Sequence, residues 1–213
     1  MCHDKGIEAD SLLHDIVNCT MCELYETRNT AIPGRGNTSA NIMLIADKPD
    51  VTDENEGWAF TGHTLPYLEN TMTALGIEED DVWVTNCVKC RPPKNREPFI
   101  PELDICKAHL QREIRMVDPN VIIMLGKIPI KTLTGVTQAV VKAVDKEWIL
   151  YVPTARGGED PPLQYFALST YDFTYIRKNP SQKPGQPWHR LFKTFKHALW
   201  VTIALEETYE RTE

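Results

Sequence analysis

Four short segments of the chain, 41–47, 81–88, 120–126 and 165–171, carry apolar residues almost without interruption, as in Ile-Met-Leu-Ile-Ala and Val-Ile-Ile-Met-Leu. Continuous apolarity over so few residues predicts strands covered on both faces, because a half-exposed strand alternates instead. Between them, residues 65–75, 101–117 and 128–133 read as helices, with Gly76, Pro119 and Gly135 as stops, and 188–204 reads as a closing helix. Strand and helix alternate, which predicts an α/β fold: a three-layer α/β/α sandwich around a central, mostly parallel four-stranded sheet. Ligands of such sheets sit at the carboxyl ends of the strands. Those ends are Asp47, Asn86, Gly126 and Tyr171, while 155–162 and 179–187 are loops by their Gly and Pro content.

The length of 213 residues fits one domain, 1–213, with an N-terminal extension or helix at 1–18 and an acidic tail at 206–213. The longest aliphatic run, 121–125, is far below the roughly 18 apolar residues of a membrane span, so no membrane partner is expected. The start Met-Cys-His-Asp-Lys-Gly has no basic segment followed by an apolar one, which makes a reducing, cytoplasmic location the expectation. Thirty acids against 23 bases give a net charge of −7, although a protein that holds nucleic acid through phosphates is usually basic. Distribution therefore matters more than the total. Acids gather at 53–56, 78–81 and in the tail, whereas bases gather at Lys89, Arg91, Lys94 and Arg96 and again from Arg177 to Lys196.

Six cysteines in a reducing compartment read as buried thiols or metal ligands. Cys19-Thr-Met-Cys22 is a C-x-x-C knuckle, and with Cys90 and Cys106 it makes four thiolates that suit zinc or an iron–sulfur cluster. A competing quartet pairs the knuckle with Cys87-Val-Lys-Cys90. Cys87 lies inside a strand-like run, where a small buried thiol is a sufficient explanation. A redox role for the C-x-x-C pair is a further alternative.

The segment Thr85-Asn-Cys-Val-Lys-Cys-Arg-Pro-Pro-Lys-Asn-Arg-Glu-Pro98, followed by Cys106, resembles the family 4 uracil-DNA glycosylases. The resemblance extends to Gly57-Trp-Ala-Phe-Thr-Gly62, for the family's G-x-P-F-x-G, and to Pro119–Gly126 for its third strand. It implies that Cys19, Cys22, Cys90 and Cys106 hold a [4Fe-4S] cluster, with zinc as the alternative. Phe60 would stack on a flipped base and Asn86 would read its polar edge. The family's G-E-x-P-G stands here as Ala46-Asp-Lys-Pro-Asp50, and its H-P-x-x-x-x-R as Tyr171-Asp-Phe-Thr-Tyr-Ile-Arg177. Asp47 is thus the expected catalytic carboxylate and Tyr171 the expected donor to the leaving base.

The implied activity is removal of uracil, or a related modified pyrimidine, from DNA by base flipping and N-glycosidic hydrolysis. Lys89, Arg91, Lys94, Arg96 and Arg177 are the expected DNA contacts, and association with the nucleoid follows when the protein is on DNA. The alternative function is a catalytically impaired, glycosylase-like DNA-binding subunit that accompanies a replication or repair protein.

Overall fold

The computed structural model describes residues 5–137, 140–154 and 161–210. Cys2, residues 155–160 of the expected 155–162 loop, and the end of the tail at 211–213 lie outside the described residues. The four expected strands are present as β2 (Ile42–Ala46), β3 (Val82–Asn86), β4 (Val121–Leu125) and β6 (Leu163–Thr170). Two more make the sheet six-stranded: β1 (Arg35–Gly36) and β5 (Glu147–Val152), in the order β1-β3-β2-β4-β6-β5. The four inner strands run parallel, and each added edge strand runs antiparallel to its neighbour. The expected four-stranded sheet is therefore the core of a wider one. β5 escapes a search for continuous apolar runs because its residues alternate between exposed and buried, as an edge strand's do.

Each inner strand feeds two separate cores. Met43, Ile45, Ile122 and Met124 point to one face, against α1 (Lys5–Val17), α4 (Ile100–Val117) and α5 (Lys127–Thr134). Ile42, Leu44, Val121 and Ile123 point to the other, against α3 (Leu65–Leu75), α7 (Phe173–Lys178) and α8 (Pro187–Glu210). The three-layer sandwich is thus observed, and apolarity on both faces is what made these strands read as unbroken runs.

Local signals set the boundaries. Gly76 and Gly135 take left-handed conformations, φ 68° and 73°, which close α3 and α5. α8 runs on to Glu210, so the backbone of 206–210 is helical rather than a loose tail. The short α2 (Val51–Glu56) opens on a capping box between Asp50 and Asp53 and had no apolar stripe to announce it. The small helix α6 (Val140–Ala143) precedes β5. Among the described residues no helix is long and apolar enough to cross a membrane.

Candidate active site

Parallel strands end together, so the residues that follow β2, β3, β4 and β6 share one edge of the sheet. A pocket opens there, and its lining includes Asp47, Phe60, Asn86, Gly126, Lys127 and Asp172. Asn86 is 1% exposed, and its side-chain Nδ2 has no hydrogen-bond partner. A buried amide donor without a partner costs about 1–3 kcal/mol, so a ligand that accepts from it gains what the free protein forgoes. Phe60 sits at φ 59°, a left-handed conformation unusual for a residue with a side chain, and meets Phe173 edge-on with ring centroids 6.3 Å apart.

Asp53 fixes that aromatic. Its Oδ1 accepts from the Thr61 backbone N–H at 2.7 Å and from the Thr61 hydroxyl at 2.8 Å, while Oδ2 accepts from the Asp50 N–H at 3.0 Å. Burial raises the Asp53 carboxyl above the usual carboxylate range, against the opposing effect of these bonds. Asp47 also rises, chiefly from burial; Lys48 opposes the rise and the charge of Asp172 adds to it. The pocket is thus acidic, with Lys48 and Lys127 as its cations, and Lys127 is bridged to Glu97 at 2.5 Å.

Two expected residues lie elsewhere. Tyr171 is 6% exposed, belongs to the core beneath α8, and stacks on Tyr175 at 5.0 Å with the rings 11° apart. It is not among the residues that line the pocket. The reason is strand parity: β6 ends at Thr170, so Tyr171 turns into the core and the next residue, Asp172, turns to the pocket. Lys89 is equally displaced. At 1% exposure its ammonium donates to Thr85 Oγ1 (2.6 Å), the Asn86 carbonyl (2.8 Å) and Glu113 Oε2 (2.5 Å), so it is closed to a phosphate.

The other expected DNA contacts stay near the surface with different commitments. Arg91 pairs with Glu54 at 3.0 Å, and Arg96 pairs with Glu102 at 2.6 Å while lying 3.7 Å over the Phe99 ring. Lys94 and Arg177 are exposed. Sequence reasoning missed the partner of Lys89. The signal was Glu113, which falls on the buried stripe of α4 with Leu110, Ile114 and Val117, where an acid calls for a buried cation.

Cys19, Cys22, Cys90 and Cys106 line one narrow cavity under α1 and α4, together with Arg28, Lys89 and His109. Cys87 is fully buried in the neighbouring core and does not line it. Arg28 Nη1 donates to Cys90 Sγ at 2.9 Å and the Lys89 backbone N–H to Cys106 Sγ at 3.3 Å. His109 is 6% exposed, and both ring nitrogens lack a partner. Burial lowers its pKa, and the charges of Lys89 and Arg112 act in the same direction. A soft, sulfur-ligated group fits this donor set, since the site offers thiols together with donors that can bond to sulfur. Among the described residues no three His, Cys, Asp or Glu side chains are grouped as a single metal ion requires.

The fold is a doubly covered parallel sheet with a pocket at its carboxyl edge, lined by an aromatic ring and an unpartnered amide. The sequence model of the Uracil DNA glycosylase superfamily matches residues 33–196, and the chain belongs to that superfamily. The chain is 34% identical to the Type-4 uracil-DNA glycosylase of Archaeoglobus fulgidus over 118 residues, 55% of this chain and 59% of that protein. With the Type-4 uracil-DNA glycosylase of Saccharolobus solfataricus it shares 38% identity over 119 residues, 55% of each. The chain therefore spans little more than half the length of these curated relatives. A DNA polymerase of Bacillus phage SP01 is 30% identical over 115 residues, 54% of this chain and 12% of that protein.

The buried pair yields a direct test. Lys89→Met leaves Glu113 as an uncompensated buried charge and is expected to lower unfolding stability by about 3–5 kcal/mol, read from urea titration. Loss of a surface phosphate contact would instead leave stability unchanged and flatten the salt dependence of DNA affinity.

Proposed function

We propose that this protein excises uracil, or a closely related pyrimidine, from DNA as a base-flipping glycosylase. The observation that carries the reading is the unpartnered Asn86 amide, buried in a pocket whose other wall is Phe60. An extrahelical uracil stacks on the ring and accepts from the Nδ2 donor, and the amide oxygen accepts from the base's N3–H. Cytosine presents an amino group where uracil has an oxygen, so the same amide rejects it.

The reaction separates charge: the sugar becomes cationic at C1′ and the departing base anionic. Asp47, at the end of β2 beside Asn86 on β3, supplies negative charge near C1′. Lys48 and Lys127 lie within reach of the same pocket and offset the charge on the base. An acidic lining also keeps phosphates out, so the backbone is held outside the pocket, by Lys94 and Arg177 first and by Arg91 and Arg96 as far as their ion pairs release them. Tyr171 and Lys89 have no part in this reading.

Cys19, Cys22, Cys90 and Cys106 would hold a [4Fe-4S] cluster, whose contribution is structural: it ties the N-terminal knuckle to the segment after β3 and to α4. Arg28, the Lys89 backbone and His109 would donate to its sulfurs. The reading places the protein in the cytoplasm, on the nucleoid when it is bound to DNA. A second reading, an accessory subunit of replication or repair that binds DNA without cutting, is favoured by the phage DNA polymerase that contains a matching segment.

Incubation with uracil-containing single- and double-stranded oligonucleotides, followed by alkaline cleavage, is expected to break the chain at uracil and leave cytosine and thymine controls intact. Asp47→Asn is expected to slow excision by about 10²–10³ with DNA affinity retained. Binding without cleavage would favour the accessory reading. Anaerobically purified protein is expected to contain iron and acid-labile sulfide in equal amounts, and stoichiometric zinc without iron would contradict the cluster.

A further inference from the structure

The residue that takes the place expected of Tyr171 is itself chemically equipped. Asp172 follows β6 and enters the pocket beside Gly126, which follows β4 with φ +88°. A Cβ built on Gly126 would lie 3.2 Å from Asp172 Cβ and 3.2 Å from Asp172 Oδ2, so this carboxylate lies directly over the glycine. Its two oxygens are used differently. Oδ1 accepts the Tyr175 backbone N–H at 2.8 Å and caps α7, which fixes the side-chain rotamer. Oδ2 has no hydrogen-bond partner among the described residues.

Position along the sheet edge adds the second half. The strand order places Asn86, Asp47, Gly126 and Asp172 at the ends of successive strands β3, β2, β4 and β6. Neighbouring strands are about 4.8 Å apart, so Asp47 and Asp172 stand on strands about 10 Å apart. The strand between them is followed by a glycine, so no side chain from Gly126 fills the interval. The base is read at one end of this row, by Asn86, and a fixed carboxylate oxygen waits at the other. The space over Gly126, open to the pocket, is where a water would stand beside a sugar ring.

We propose that Asp172 is the catalytic base of the glycosylase, with Oδ2 holding the attacking water and accepting its proton. The inference rests on the uracil-excision reading given above. As the C1′–N1 bond breaks, its electron pair leaves with the base, which departs as an anion and is later protonated by solvent. The water oxygen bonds to C1′, and its proton passes to Asp172 Oδ2 and then to bulk water. No oxidant, metal or further reactant enters the balance. Asp47 retains its separate task of stabilising the cationic sugar. Burial first, and the nearby charge of Asp172 after it, hold the Asp47 carboxyl above the usual carboxylate range.

The competing explanation is that Asp172 is a helix cap and nothing more. The two separate cleanly, because asparagine caps a helix as well as aspartate does and cannot accept the proton. Single-turnover excision from a uracil-containing single-stranded oligonucleotide is the measurement, with affinity for the same oligonucleotide and the unfolding midpoint measured in parallel. Asp172→Asn is expected to slow excision by at least about 10²-fold, with affinity and midpoint unchanged. Should that variant fold poorly, Asp172→Ser, whose hydroxyl also caps, gives the same comparison. Excision at the wild-type rate in Asp172→Asn, or a loss carried by weaker DNA binding alone, overturns the proposal and leaves uracil excision standing. Wild-type protein that binds the oligonucleotide and leaves uracil in place overturns both.

Discussion

A single buried ion pair joins the end of β3, where Asn86 stands, to the cysteine cavity. Lys89 and Glu113 meet at 2.5 Å with side chains 2% and 1% exposed, and all three donors of the ammonium are used. The ammonium binds the Asn86 carbonyl and Thr85, and the carboxylate binds Thr85 and the Gly34 N–H at 2.8 Å. The backbone N–H of the same lysine donates to Cys106. The pair therefore pins the end of β3 from below, at the residue that reads the base under the proposed function, and Lys89 also lines the cysteine cavity. Desolvating two charges is costly and is offset only by close pairing and further hydrogen bonds, which the three bonds of the Lys89 ammonium and the contacts of Glu113 with Thr85 and Gly34 supply. Such a network contributes more to fixing one arrangement of the β3 end than to net stability.

The electrostatics of the pocket follow from where the acids were spent. Asp50 and Asp53 are committed to the capping box of α2 and to the Phe60 turn, and Glu97 to Lys127. Asp47 and Asp172 also line the cavity, the first accepting the Lys48 N–H and the second capping α7 through Oδ1 alone. A net acidic pocket repels the phosphate backbone yet favours a cationic sugar, so the same charge that disfavours DNA in general favours the transition state of glycosidic cleavage. The overall charge of −7 is compatible with the proposed function, since Lys94 and Arg177 are exposed and do not line the acidic pocket.

The strands that build the site were legible because both of their faces are buried, which turns each into an unbroken apolar run. The edge strand β5 and the polar helix α2 were not, since one alternates and the other has no apolar face. Asp47 and Asn86, at strand ends, and Phe60, in the turn between α2 and α3, were singled out by their motifs, and the fold brings the three to one pocket. Tyr171, expected at the pocket, lies in the core instead, because β6 ends at Thr170 and alternation turns the next side chain inward and Asp172 to the pocket. Lys89 reads as part of a basic surface run, and only the fold brings it to Glu113, 24 positions away. Sequence adjacency shows charge, whereas burial decides what the charge can touch.

The central claim is that Asn86 waits in the pocket for a pyrimidine edge. Nuclear magnetic resonance of the 15N-labelled protein tests it most directly, by following the Asn86 side-chain amide during titration with free uracil and, separately, with cytosine. The account predicts a saturable shift of that amide with uracil, accompanied by ring-current changes at Phe60, and little change with cytosine. An Asn86 amide that ignores uracil, or shifts alike for both bases, would contradict it.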